Sequence, residues 1–408
     1  MAAATIVVLI AVGIYLFNLP TQPSSTNKRT IAVLPFTNLS GNQEYEYFTD
    51  GIMEDILTQL SKIGELTVIS RTTMMQYKGI KKTLKEIGKE LNAGIALEGS
   101  VRRSGNRIRI SSQLIDAESD KHLWAETYDR EMQDVFAIQS DVAQRIAAAL
   151  AVKLAPREKE LIEKKPTENM EAYNYYLKGR QYYYGYNKQA NENAIQLFKR
   201  ALELDTNYAL ALSGLGESYS QRVDQYGYPA AWADSSMRVS QIAISKDPNL
   251  AEGYKALGNA YYTKRQIKKS IEANMKAVEL NPNYSPAVAN IGAGNRILGN
   301  FTEALRWLKK ALVIDPNFAF TYRMIGELYF RLADDEKAEE WCRKALILQP
   351  DLTSGYYFLM WIHLYQGKYE ESSEECKKYL SYEPDDIDAL NLLALIEVLN
   401  HNYVQARE

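Results

Sequence analysis

Histidine and cysteine are nearly missing from this chain: its 408 residues include 3 of the first and 2 of the second. Cys342 and Cys376 are too few for a disulfide framework or a four-thiolate metal site. His122, His363 and His401 are scattered, and no nucleophile beside a base and no metal-ligand set stands out. An excess of positive charge is also missing. The 48 Lys+Arg against 51 Asp+Glu leave a formal charge of -3, so no global field draws in nucleic acid. Gly41, Gly51, Gly64 and Gly99 form no phosphate-binding pattern, and no cofactor is expected. Phenylalanine is sparse beside tyrosine, 10 against 29. Tyrosine combines apolar area with a polar tip, which suits half-buried helix surfaces and binding faces.

One uncharged apolar run is present, "AAATIVVLIAVGIYLFNL" at 2–19. It is long enough for a membrane-spanning helix, which needs roughly 17–25 residues. No Lys or Arg precedes it and no small-x-small cleavage site follows, so an uncleaved anchor is expected rather than a signal peptide. Residues 20–29, "PTQPSSTNKR", read as a polar tether. Lys28 and Arg29 alone would place that side in the cytoplasm by the positive-inside rule.

The second half repeats. Pro248, Pro282, Pro316, Pro350 and Pro384 stand 34 residues apart, and Gly258, Gly292 and Gly326 recur ten residues after the first three. Two antiparallel helices with their turns need about 34 residues, and small residues mark where they cross closely. These segments resemble tetratricopeptide repeats, whose units bury their apolar faces only by stacking into a solenoid. Such a solenoid is expected over 175–408, as about six repeats and a truncated seventh. The repeat at 209–247 carries extra residues, placed in a longer loop at 225–232. The seventh unit stops at "HNYVQARE" without a polar capping helix, so its edge is expected to self-associate or take a partner. Cys342 and Cys376 occupy equivalent positions in successive units, roughly 8–10 Å apart, too far for a disulfide. They read as core thiols.

In this repeat class, positions 5, 9 and 12 of each first helix face the concave groove. Lys255, Asn259, Tyr262, Arg296, Arg323, Glu327, Phe330, Tyr357 and Trp361 fall there. The groove is thus polar in the middle and aromatic toward the end, fit for an extended peptide or a partner helix. Some family members clamp a peptide carboxylate. Lys255, Asn259 and Asn290 match three positions of that clamp, but Phe320 and Met324 stand where its basic residues belong.

Residues 30–154 do not repeat. Periodicity predicts strands at 30–36, 66–71, 94–103, 107–116 and 121–129, and helices at 46–63, 83–91 and 133–154. The order β-α-β-α-β-β-β-α implies an α+β domain with one mixed sheet. Within it, "VRRSGNRIRI" holds Arg102, Arg103, Arg107 and Arg109. It reads as a hairpin with a three-residue turn at 104–106 and its arginines facing water near Asp129, since no aromatic stacking pattern accompanies them. Asp50, Glu54 and Asp55 read as acidic residues favouring a helix start rather than as catalysts. The stretches "IAVLPFTNLSG", "YFTDGIMEDILTQLSKI" and "LEGSVRRSGNRIRISSQLIDA" resemble the TolB-like or FlgO-like domain found before tetratricopeptide repeats in bacterial membrane proteins. That resemblance implies an inner-membrane protein with its bulk in the periplasm. It also implies a signalling output elsewhere: a nucleotide cyclase, kinase or winged-helix domain.

The expected molecule is therefore a non-enzymatic scaffold or sensor. It has an anchor at 2–19, an α+β domain, a linker at 155–174 and an all-α solenoid that binds a protein or peptide and no nucleic acid. The alternative is the sensory half of a signalling enzyme or transcription regulator.

Overall fold

The computed structural model describes residues 27–402. The expected anchor and most of the tether lie outside them, as do residues 403–408 of the last unit. No helix among the described residues is long and apolar enough to cross a membrane.

The N-terminal domain is built on a mixed sheet of strands β1 (Asn27–Val33), β2 (Thr37–Asn38), β3 (Thr67–Val68), β4 (Ala93–Ser104), β5 (Arg107–Asp116) and β6 (Lys121–Glu131). Their order is β3-β1-β4-β5-β6, with β2 beside β4. β1 runs parallel to β3 and β4, and the last three strands form an antiparallel meander. β1 takes in Asn27, Lys28 and Arg29, so the end of the expected tether is strand.

Side chains that alternate along a strand need cover on both faces. Ile31 and Val33 pack with helices α1 (Glu46–Ser61) and α4 (Val135–Ala149), whereas Ala32 and Leu34 pack with α2 (Arg71–Met75) and α3 (Leu84–Leu91). In β5, Ile108, Ile110 and Leu114 are fully buried while Arg107 and Arg109 face water. Both arginines bond Asp129 across the strand pair, at 2.7 and 2.6 Å. The hairpin is ordinary architecture, as its alternation implied. Its turn is shorter than expected: Ser104 pairs Arg107, and only Gly105 (φ 57°) and Asn106 bridge them. Positive φ at Gly105 suits glycine, which lacks a Cβ.

A short helix α5 (Pro156–Glu163) leads into the paired helices α6 (Met170–Tyr183) and α7 (Lys188–Leu204), α8 (Ala209–Tyr226) and α9 (Ala231–Lys246), and α10 (Ala251–Thr263) and α11 (Ile267–Leu280). These continue as α12 (Ser285–Ile297) and α13 (Phe301–Ile314), α14 (Ala319–Arg331) and α15 (Asp335–Leu348), α16 (Thr353–Tyr365) and α17 (Tyr369–Leu380), then α18 (Ile387–Leu399). The small residues sit where expected. A Cβ built on Gly326 would lie 2.5 Å from Cys342 Sγ, and one on Gly292 2.7 Å from Leu308 Cγ. Both cysteines are free and buried.

Three boundaries differ from the sequence reading. The first repeat starts at Met170, not 175. The extra residues of the second repeat lengthen its helices instead of its loop: α8 has 18 residues against 13 in α10, and Gly227 ends it at φ 68°. The segment 155–174 is not a free linker. Ile162 is fully buried, its carbonyl accepts from Ser140 Oγ at 2.6 Å, and the Leu161 carbonyl accepts from Lys62 Nζ at 2.8 Å.

The sheet domain and the solenoid are consequently one body. Arg180 of α6 is largely enclosed between two carboxylates of α1, its side chain 11% exposed, with Nε 3.3 Å from Glu54 and Nη1 2.9 Å from Asp55. Its Nη2 donates to the Gly51 carbonyl at 3.1 Å. Burial opposes its charge, but Glu54 and Asp55 outweigh that and push its pKa well up. Tyr173 and Gln139 also donate to Asp55, and Tyr184 and Arg71 hold Glu54. Because α1 begins at Glu46, Glu54 and Asp55 are not first-turn residues, and the helix-dipole reading of them is replaced by this interface.

A second set of contacts follows the repeat itself. In the first four repeats, the polar residue capping the second helix hooks the preceding parts of the chain. Asp205 accepts from Thr167, and Asp247 pairs with Lys164. Asn281 donates to Ser61 Oγ at 2.8 Å, and Asp315 accepts from Thr73 Oγ1 at 2.7 Å. Removing Arg180 leaves Asp55 with no cation and Glu54 with Arg71 alone, and an uncompensated carboxylate in a low-dielectric site costs about 3–5 kcal/mol. Arg180→Ala is therefore expected to lose about that much stability in denaturant unfolding and to expose 155–169 to protease. A loss within the ordinary surface range of about 0.5 kcal/mol would contradict this interface.

Candidate functional site

The concave wall of the solenoid changes character along its length. At its start, Glu54 and Thr58 of α1 close over Tyr183, Tyr184, Glu217 and Tyr284, leaving a space of only about 80 Å³. That stretch is occupied by the protein's own N-terminal domain. Lys255 belongs to it: its Nζ donates to Glu217 at 2.7 Å, and the residue is buried.

In the next two units the polar residues satisfy one another. Asn290 Nδ2 donates to Asn259 Oδ1 at 2.9 Å and to Asn274 Oδ1 at 3.3 Å. Lys255 and the asparagine pair are thus already partnered, which argues against the carboxylate clamp. Tyr262 beside them is half-buried. Glu327 accepts from Arg296 at 2.5 Å, from Arg323 at 2.6 Å and from Arg331 at 3.0 Å. Arg323 and Glu327 are buried, so they build the floor of the wall instead of its reading surface, a correction to their assignment as groove contacts. Burial would raise the Glu327 pKa, but Arg296 and Arg323 overcome it and hold the carboxyl below its ordinary value of 4.5. One carboxylate faces three guanidiniums, so the edge formed by Arg296 and half-exposed Arg331 stays cationic.

Beyond this hub the wall is aromatic. Tyr357, Trp361 and Tyr365 recur every four residues on α16 and share a face. Ring centroids lie 6.4 Å apart for Tyr357 and Trp361, 6.1 Å for Trp361 and Tyr365, and 5.6 Å for Tyr365 and Phe330. Tyr365 is 72% exposed and Tyr357 39%. The structure therefore brings Phe330, Tyr357 and Trp361 together, as their repeat positions implied. Tyr365 was missed, although its spacing from Trp361 marks the same face. Phe358 and Tyr379 were missed as well, and Tyr379 could not be read locally because it reaches Tyr357 from the neighbouring helix, at 5.9 Å. Among the described residues, no group of three or more His, Cys, Asp or Glu could hold a metal ion.

Two family profiles match. Residues 27–148 match the second domain of HilA/YgeH-like transcriptional regulators, and residues 251–284 and 321–352 match a tetratricopeptide repeat. The chain thus carries tetratricopeptide repeats, with a mixed-sheet domain ahead of them. The TolB-like or FlgO-like resemblance rests on the quoted residues alone. A Rhizobium meliloti (strain 1021) protein named "Putative adenylate cyclase 3" is 38% identical over 253 residues, covering 62% of this chain and 43% of that protein. The chain thus spans less than half the length of that curated relative. Among solved structures, the repeat protein TTC0263 of Thermus thermophilus is 22% identical, with 46% of this chain and 96% of that one covered and a TM-score of 0.39. The type IV pilus biogenesis factor PilW is 19% identical, with 55% and 99% covered and a TM-score of 0.47.

The Glu327 hub carries a pH signature. A carboxyl whose folded pKa is lowered stabilises the fold above its unfolded value of 4.5 and loses that contribution as pH falls through the folded one. Glu327→Gln is expected to cost about 3–5 kcal/mol at neutral pH. The gap to the unaltered protein should close as acid is added below 4.5, read by urea unfolding across pH. A gap that stays constant with pH would contradict the assignment.

Proposed function

We propose that the chain is a docking protein that holds an extended peptide or a helix of a protein partner against the aromatic wall of α14 and α16. The observation that carries this reading is the stripe of exposed Tyr357, half-buried Trp361 and exposed Tyr365, which lies beyond the bonds that Asp315 and Asn317 make to the N-terminal domain. Rigid aromatic anchors in a concave wall are the usual source of binding energy at such surfaces. The cationic edge at Arg296 and Arg331 favours a partner with an acidic residue beside its apolar anchor. Panning a random peptide library against the chain should enrich aromatic or aliphatic peptides carrying acidic residues. Loss of two anchors worth about 2 kcal/mol each should weaken them roughly 100-fold or more in Tyr357→Ala/Trp361→Ala. Undiminished binding by the double variant sinks the proposal.

A second reading is compatible with the first: the chain is the sensory or regulatory part of a larger signalling protein. It is supported by the similarity of its N-terminal domain to a domain of transcriptional regulators and by its match to less than half of a protein named as a cyclase. In this reading residues 2–19 anchor the chain in the inner membrane and the described body lies in the periplasm. A reporter active on only one side of the membrane, fused after Asn402, should then be active in the periplasm. Activity in the cytoplasm would mean that Lys28 and Arg29 set the orientation.

A further inference from the structure

The junction that joins the two halves is not solid. Between α1, the chain at 161–166, α6 and the loop before α10 lies a cavity of about 270 Å³. Its apolar lining includes Leu161, Leu210, Leu250, Leu280 and Tyr176, contributed by the connector and the solenoid. Most charges at its wall are already spoken for: Arg180 by Glu54 and Asp55, Lys164 by Asp247, Lys165 by Glu168. Two are not. Lys62 Nζ donates to Gln59 Oε1 and to the Leu161 carbonyl, both at 2.8 Å, which leaves its third N–H unused among the described residues. Glu252 lines the same cavity and forms no ion pair among the described residues. Burial lowers the Lys62 pKa and raises that of Glu252, and each is the foremost charge opposing that shift in the other. Yet they do not meet. An ammonium and a carboxylate held apart in a partly apolar space leave both only partly compensated.

We propose that this cavity binds a free α-amino acid with an apolar side chain. The ligand carboxylate meets Lys62, its ammonium meets Glu252, and its side chain lies among Leu161, Leu210, Leu250 and Leu280. The volume is below the roughly 300–1,000 Å³ of sites for drug-sized ligands, which restricts the occupant to a molecule of about this size. Because Lys62 belongs to the sheet domain and Glu252 to the solenoid, the ligand bridges the two halves and stabilises their docking. The peptide wall on α16 is elsewhere, so the two sites fail or stand independently.

The test is calorimetric titration of the full chain with L-leucine and L-phenylalanine. Two analogues of leucine accompany them: 4-methylvalerate, which lacks the ammonium, and leucinamide, which lacks the carboxylate. The account expects binding at about 1 mM or tighter for at least one of the two amino acids. A charge-assisted hydrogen bond is worth roughly 1.5–3 kcal/mol, so each leucine analogue should bind at least about 10-fold more weakly than leucine. Lys62→Met and Glu252→Gln should each lower affinity by a similar factor, and Lys62→Met should restore parity between leucine and leucinamide. The analogue comparison needs no variant and stands even if one misfolds. No heat from either amino acid, or equal affinity for leucine and both analogues, overturns the proposal.

Discussion

Everything beyond the single repeat depends on one largely enclosed cation. Arg180 sits on the first solenoid helix and is held by Glu54 and Asp55 of the helix that crosses the sheet. Glu54 also has Arg71, but Asp55 has no second cation, and Asp55 or Arg180 unpaired in such a place would be several kcal/mol too costly. Together they are tolerated only when the two halves of the molecule are docked. The contact therefore acts less as a source of stability than as a specification of one relative placement. Tyr173, Tyr184, Gln139 and Arg71 satisfy the remaining lone pairs and fix the geometry.

Once that pair is set, the repeat works as a ruler. The capping residue of each second helix recurs at the same edge, and in the first four repeats it is Asp205, Asp247, Asn281 and Asp315. The first two hook the connector and the next two hook the sheet domain. The row continues to Gln349, which receives no such bond from the domain among the described residues. The solenoid is thus divided by use. Its early repeats build a junction with a cavity inside it, and its late repeats keep their aromatic wall open. A rigid support under an exposed aromatic stripe lowers the ordering cost of binding.

Periodicity made much of this legible. Alternating Ile108, Ile110 and Leu114 against Arg107 and Arg109 set the hairpin faces, and the 34-residue interval located the helix pairs and the aromatic side chains Phe330, Tyr357 and Trp361. The docking was not legible, because Arg180 and Asp55 are 125 residues apart and neither stands out in its own helix. Position in the repeat also says where a side chain points and nothing about its neighbours. Lys255 and Glu327 point into the groove but are neutralised by charges on adjacent helices. The extra residues at 225–232 looked like a loop because of their glycine and proline. The helix instead runs on to Tyr226, where Gly227 can adopt the positive φ that ends it.

The central claim is that the sheet domain and the solenoid form one body. Ser70 N–H donates to the Ile314 carbonyl at 2.8 Å, and Val68 N–H donates to Asn283 Oδ1 at 3.3 Å, both across the junction. Native-state hydrogen exchange of these two amides tests it most directly. If the halves are docked as described, both exchange only through large-scale opening, with protection near that of the central strands. Exchange at rates typical of exposed loops, while β4 and β5 stay protected, would mean that the halves are separate and the junction does not persist in solution.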